Sequence, residues 1–117
     1  MAKTILIIDD DPIIVKYLEN LFNDNGYETL IAHDGPEARD ILKGTKPDLI
    51  TLDLEMPEEW GPRFFRKMIQ NEALKDIPVI VISGISDPKR SIRKAVAIIR
   101  KPFDADKLLG IVRRTIG

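Results

Sequence analysis

Five short apolar runs, separated by segments with helical spacing, constrain the fold of this chain more than any other feature. The runs are rich in β-branched residues and lack the polar-apolar alternation of a strand that faces water on one side. Strands of this kind occur in parallel sheets that are covered by helices on both faces. In chain order they are Ile5–Ile8, Tyr27–Ala32, Asp48–Leu52, Ile77–Ile82 and Ala97–Arg100.

Helical segments follow the runs. Asp11 and Pro12 predict the N-cap and the first position of the first helix, and Gly26 predicts its end. Asp104 predicts the cap of the last helix, whereas the helix after the fourth run, which opens at Asp87, is predicted to be short. The apolar positions that mark the two helices in between are Ala38, Ile41, Leu42, Phe64, Phe65, Met68 and Ile69.

The succession of five strand-helix units predicts an α/β fold. We expect a doubly wound, five-stranded parallel sheet with right-handed crossovers, helices on both faces and a shortened fourth helix. The length of 117 residues corresponds to one domain. We therefore expect residues 1–117 to form a single domain.

Composition excludes several classes of function. The net charge is −1, from 18 basic and 19 acidic residues, so bulk electrostatics favours neither nucleic acid nor an anionic membrane as partner. The chain has no cysteine, which excludes disulfides and thiolate metal sites. It has no apolar run of transmembrane length and no signal peptide, so we expect a soluble cytoplasmic protein.

Polar residues that carry chemistry stand at the ends of four predicted strands. Asp9 and Asp10 follow the first strand, Asp53 the third, Ser83 the fourth and Lys101 the fifth. In an open α/β sheet the ligand crevice lies beyond the carboxyl ends of the strands. Three carboxylates, a hydroxyl and an ammonium group should therefore meet at one edge of the sheet.

Such a cluster suits phosphoryl chemistry. Carboxylates held together repel unless a cation neutralises them, and Mg²⁺ prefers one or two carboxylates plus a phosphate. An aspartate can itself accept a phosphoryl group, and a lysine and a hydroxyl can bind the phosphoryl oxygens. Each residue alone could be only a helix cap, a turn former or a solvated charge. Four strand ends rarely carry a suitable group each by chance.

These residues lie in motifs that resemble a known family. The segments are Ile7–Pro12, Pro47–Pro57, Pro78–Gly84 and Arg100–Asp104. Together they resemble the receiver domains of bacterial two-component response regulators, and the resemblance covers nearly the whole chain. It implies the flavodoxin-like strand order 2-1-3-4-5, and a receiver domain without an output domain of its own that acts through protein partners.

The resemblance also implies roles for individual residues. Asp53 would be the phosphoacceptor, supplied by a histidine kinase or a histidine phosphotransfer protein. Asp9 and Asp10 would hold Mg²⁺ together with Asp53, Asp10 directly and Asp9 largely through water. The backbone carbonyl of Glu55 would be a further metal ligand.

On the other side of the site, the resemblance implies that Ser83 donates a hydrogen bond to the phosphoryl group and that Lys101 pairs with it. The bond from Lys101 to Pro102 would be cis. Two features depart from the family pattern. Ile98 stands where an aromatic residue usually responds to phosphorylation, and the stretch from Ser83 to Lys101 is several residues short.

Three other functions remain to be weighed. Ile98 and the short fourth helix favour an interaction module that no longer signals by phosphorylation. A magnesium-dependent phosphatase would use an acid two residues after its nucleophile, the position of Glu55, but no cap domain is present to enclose a substrate. Flavin binding is disfavoured because Asp9 to Asp11 would repel the flavin phosphate.

Overall fold

The five predicted strands form one parallel sheet. The computed structural model of the chain describes residues 2–57, 60–84 and 95–117. The sheet has the order β2-β1-β3-β4-β5, so the predicted fold class and strand order are confirmed. The strands are β1 (Thr4–Ile8), β2 (Glu28–Ala32), β3 (Leu49–Asp53), β4 (Val79–Ser83) and β5 (Ala97–Arg100).

Four helices are described around the sheet, and each begins a few residues after a strand. They are α1 (Pro12–Asp24), α2 (Gly35–Gly44), α3 (Trp60–Ile69) and α4 (Ala105–Ile116). The predicted short helix that opens at Asp87 falls within 85–94, outside the described residues. Within the described part of the chain, no helix has the length and apolar character needed to cross a membrane.

Aspartate side chains start three of the helices. Asp11 accepts a hydrogen bond from the backbone N–H of Ile13 at 2.9 Å, which confirms its predicted capping role. Asp104 caps α4 in the same way. Because a capping side chain satisfies an otherwise unpaired N–H, it holds the start of each helix close to the end of the preceding strand.

The sheet separates two apolar clusters. Along β1, Ile5 and Ile7 point to the side that holds Phe22 of α1 and Leu108 of α4. Leu6 and Ile8 point to the opposite side, where α2 and α3 pack. Because successive side chains of a strand face opposite directions, a strand buried on both faces needs apolar residues at every position. This is why the runs lack alternation.

Strands β3 and β4 end one residue later than the sequence indicates. The predicted third run stops at Leu52 and the predicted fourth run at Ile82, but β3 includes Asp53 and β4 includes Ser83. Asp53 pairs with Ile82 in the ladder. The ladder hydrogen bonds therefore fix the backbone of both polar residues, and neither lies in a loop.

One polar side chain in the core is a cost to stability. Thr51 in β3 is buried, and among the described residues its hydroxyl has no hydrogen-bond partner. Thr51→Val keeps the branched shape and removes the desolvated hydroxyl, so it should raise the free energy of unfolding by about 1 kcal/mol. Urea denaturation measures this change.

Thr45→Val is the matched control, because Thr45 is exposed after α2 and its substitution should change stability by less than about 0.5 kcal/mol. A loss of stability in Thr51→Val would mean that the hydroxyl is satisfied in solution.

Candidate functional site

Two carboxylates lie side by side at the carboxyl edge of the sheet. Asp9 follows the last residue of β1, and Asp53 is the last residue of β3. The two strands are neighbours, with Ile8 paired to Leu52. Asp9 is 2% exposed and Asp53 is 3% exposed. Aspartates are rarely buried so completely unless they are paired or bind a cation.

Backbone amides orient both carboxylates. One oxygen of Asp9, Oδ1, accepts a hydrogen bond from the N–H of Asp11 at 2.9 Å. The Oδ1 atom of Asp53 accepts one from the N–H of Glu55, also at 2.9 Å. These bonds within each turn hold the carboxylates at the strand ends, so their positions do not depend on any long flexible side chain.

Asp10 completes an acidic cluster at this edge. Carboxylate oxygens of Asp9, Asp10 and Asp53 all lie within 4.8 Å of one another. Asp10 is exposed, whereas the other two are buried. Three hard oxygen donors with one side open to water match the coordination that Mg²⁺ prefers, because this ion keeps several of its own water ligands. The residues present therefore fit a magnesium ion.

Lys101 reaches the cluster from the far side of β4. It follows the last residue of β5, and its backbone N–H donates to the carbonyl of Ser83 at 2.9 Å. Its Nζ atom lies 3.4 Å from Oδ2 of Asp9 and 3.4 Å from Oδ1 of Asp53. The bond from Lys101 to Pro102 is cis, as the resemblance implies.

Burial controls the charges of this site. The pKa of Asp53 is raised to about 6, and loss of solvent is the largest cause. The nearby Asp9 also raises this pKa, while the hydrogen bond from Glu55 and the charge of Lys101 lower it. Burial lowers the pKa of Lys101, but attraction to Asp53 and Asp9 outweighs it, so the net pKa is raised. Lys101 therefore stays protonated, and its ammonium group lies against the carboxylates of Asp9 and Asp53.

The structure therefore brings together four of the residues predicted from the strand ends: Asp9, Asp10, Asp53 and Lys101. Ser83 is the last residue of β4 and is 1% exposed. Its hydroxyl donates to Oε1 of Glu55 at 3.5 Å. The sequence drew attention to the backbone carbonyl of Glu55, and it did not indicate that the side chain reaches across to β4.

Gly61 is a site residue that the sequence analysis did not single out. It is the second residue of α3, and a Cβ atom at this position would lie 2.5 Å from the backbone oxygen of Asp53 and 2.6 Å from Cα of Leu54. The helix thus rests directly on the backbone of the residues around Asp53. The only sequence signal for this contact is a glycine near the start of an amphipathic segment. Because glycine is common at helix starts, this signal does not by itself indicate a close contact.

Comparison with known proteins identifies the family. A family model described as "Response regulator receiver domain" matches residues 5–113. The chain belongs to the response regulator receiver domain family, which confirms the resemblance noted from its motifs. Receiver domains are signalling modules that interact with histidine kinases or other protein partners, and they bind Mg²⁺ at an acidic pocket.

Relatives cover the chain almost completely. It is 34% identical to Protein Rrf1 of Nitratidesulfovibrio vulgaris over 116 residues, covering 99% of this chain and 84% of that protein. It is 30% identical to the polar-differentiation response regulator DivK of Brucella ovis over 122 residues, covering 100% of this chain and 98% of DivK.

Solved structures share the fold. A signal receiver domain of a histidine kinase from Syntrophus aciditrophicus has a TM-score of 0.89 at 34% identity, covering 98% of this chain and 90% of that one. The chemotaxis response regulator CheY4 of Vibrio cholerae has a TM-score of 0.89 at 26% identity, covering 98% and 99%.

The contact at Gly61 leads to a prediction about stability. Gly61→Ala would push α3 away from the backbone of Asp53, so it should lower the free energy of unfolding by about 1–3 kcal/mol. Gly110→Ala is the matched control, because a Cβ atom at Gly110 in α4 meets no atom within 4 Å. That control should gain up to about 1 kcal/mol, since alanine favours helix. Thermal or urea unfolding tests both, and equal effects would contradict the close contact.

The raised pKa of Asp53 leads to a second prediction. Between the pKa of 3.8 in the unfolded chain and about 6 in the fold, the folded state binds more protons. Stability therefore falls as pH rises through this window. Asp53→Asn cannot titrate at this position and so avoids the loss. Without divalent cations, the free energy of unfolding of Asp53→Asn minus that of wild type should therefore increase by on the order of 2–3 kcal/mol as the pH rises from 3.5 to 7.

Urea unfolding of both proteins in EDTA across this pH range measures the difference. Parallel pH profiles for the two proteins would show that Asp53 titrates normally.

Proposed function

We propose that this chain is a phosphoacceptor switch of a two-component phosphorelay, phosphorylated on Asp53 in a magnesium-dependent reaction. The observation that carries the proposal is the position of Asp53. Its buried carboxylate lies 3.4 Å from the Lys101 ammonium and within one acidic cluster with Asp9 and Asp10. Membership of the receiver domain family supports the same assignment.

In the proposed step, a carboxylate oxygen of Asp53 attacks the phosphorus of a phosphohistidine on the donor protein. The O–P bond forms as the P–N bond breaks, and the imidazole leaves with the electron pair of that bond. When bound, Mg²⁺ neutralises charge on the phosphoryl oxygens. Water later attacks the aspartyl phosphate, which returns the carboxylate and releases inorganic phosphate.

The surrounding residues would each have one task. Asp10 and Asp53 would bind the metal ion directly, Asp9 largely through water, and the backbone carbonyl of Glu55 would add a ligand. Lys101 would pair with a phosphoryl oxygen in place of its present carboxylate partners. This exchange of partners needs little movement, because the ammonium already lies at the edge where the new charge arises.

Ser83 would need to change its hydrogen-bond partner. Its hydroxyl now donates to Glu55, and in the phosphorylated protein it would donate to a phosphoryl oxygen. A phosphoryl group would also repel the Glu55 carboxylate. Phosphorylation would therefore move the Glu55 side chain away from β4 and change the surface that a protein partner meets there.

An apolar surface beside the site suits a protein donor. Ile13, in the first turn of α1, is 77% exposed, and Tyr17 one turn later is also exposed. Tyr17 packs edge-on against Phe103, with ring centroids 5.8 Å apart, and Phe103 follows Lys101 by two residues. This surface could dock a histidine kinase or a histidine phosphotransfer protein next to Asp53.

The test is phosphorylation by acetyl phosphate with Mg²⁺, followed by intact mass. Wild type should gain one phosphoryl group, Asp53→Asn none, and Asp10→Asn should react at least about tenfold more slowly because a metal ligand is lost. Asp24→Asn, at the exposed end of α1, is the matched control and should react like wild type. EDTA should abolish the reaction.

A second candidate is an interaction module that no longer signals by phosphorylation. Ile98 favours it, because this aliphatic side chain on β5 is 39% exposed at the position where the family usually has an aromatic residue. Under this alternative, wild type would gain no phosphoryl group with Mg²⁺ and acetyl phosphate, and Asp53→Asn would bind partners as wild type does.

A further inference from the structure

A cavity lies between α2 and α3, on the face of the sheet against which these two helices pack. Its volume is about 410 Å³, and its floor is apolar, formed by Leu42, Phe64, Met68 and Leu74. This volume falls within the range of pockets that bind small organic ligands, roughly 300–1,000 Å³. Neither Lys101 nor any residue of the acidic cluster lines the cavity, so the cavity is separate from the phosphoacceptor site.

Basic side chains surround this apolar floor on both helices. Arg39 and Lys43 line the cavity from α2, and Arg63 and Lys67 line it from α3. Among the described residues that line the cavity, no carboxylate is present. The described side chains that line the cavity therefore carry a net positive charge.

The spacing of these cations has an energetic consequence. Each pair is separated by four residues, which places both members on the same side of their helix. Like charges at this spacing repel one another. Lys43 has an ion pair with Asp40 at 3.5 Å, but both side chains are about three-quarters exposed, so solvent weakens the pair.

We propose that this cavity binds a small organic anion with an apolar body, such as a medium-chain carboxylate. The apolar part would contact Phe64, Met68 and their neighbours on the floor, where it would leave water. The charged head would lie at the rim, among the four basic side chains that complement its charge. A neutral ligand of the same shape would make the first interaction without the second.

The experiment is an NMR titration of the unphosphorylated chain with decanoate, decanol and decyltrimethylammonium, each below its micelle concentration. Decanoate should shift the backbone amide signals of residues around the cavity, such as Leu42 and Lys67. Decanol should bind more weakly, and the cationic analogue weaker still. Because no phosphodonor is present, the result is independent of whether Asp53 is phosphorylated.

Charge variants test the role of the rim. Lys67→Gln should weaken decanoate binding by about fivefold, the effect of losing roughly 1 kcal/mol of charge interaction, and should leave decanol binding unchanged. Lys107→Gln is the charge-matched control, because Lys107 is exposed on α4 and does not line the cavity.

Four results would overturn the proposal. Decanol could bind as tightly as decanoate, or the two lysine variants could weaken decanoate binding equally. The shifted amide signals could also belong to residues outside α2 and α3. Binding of an acidic amphipathic peptide in the absence of decanoate binding would equally reject a small-molecule site, since it would make the groove a protein-docking surface.

Discussion

Two buried carboxylates that share one ammonium are the interaction on which the rest of this structure depends. Asp9 and Asp53 each lie 3.4 Å from Nζ of Lys101, and both are almost fully removed from water. Burial of such charges is costly, which is why the pKa of Asp53 is raised to about 6. The strand ladder and two backbone amides hold the carboxylates in place despite this cost. Under the proposed function, this fixed pair of carboxylates would receive the cation and the phosphoryl group.

The strand order explains how distant parts of the chain form this site. The order 2-1-3-4-5 makes β1 and β3 neighbours, so Asp9 and Asp53 meet although they lie 44 positions apart in the sequence. Lys101 directly follows the edge strand β5, and β4 lies between β5 and β3. Only a long side chain spans that gap, and the lysine does so across the end of β4, where Ser83 accepts its backbone N–H.

Helix α3 connects the two sites of the molecule. Its second residue, Gly61, lies against the backbone of Asp53, and its next two turns supply Phe64, Lys67 and Met68 to the basic cavity. A change in the position of this helix would therefore alter both sites. The close contact at Gly61 restricts such movement, because backbone atoms lie on both sides of the contact and neither can yield as a flexible side chain would.

The sequence by itself determined the elements of this protein and the residues that its strands present. The apolar runs, the caps at Asp11 and Asp104 and the polar strand ends are local signals, because each depends on residues a few positions apart. The ends of β3 and β4 were predicted one residue early, since a polar residue inside a ladder resembles the start of a loop. Only the tertiary structure decided the distances among Asp9, Asp53 and Lys101, the raised pKa of Asp53, the approach of Gly61 and the basic cavity. Lys101 and Asp9 are 92 residues apart, and their contact follows from strand order and burial, which no local pattern encodes.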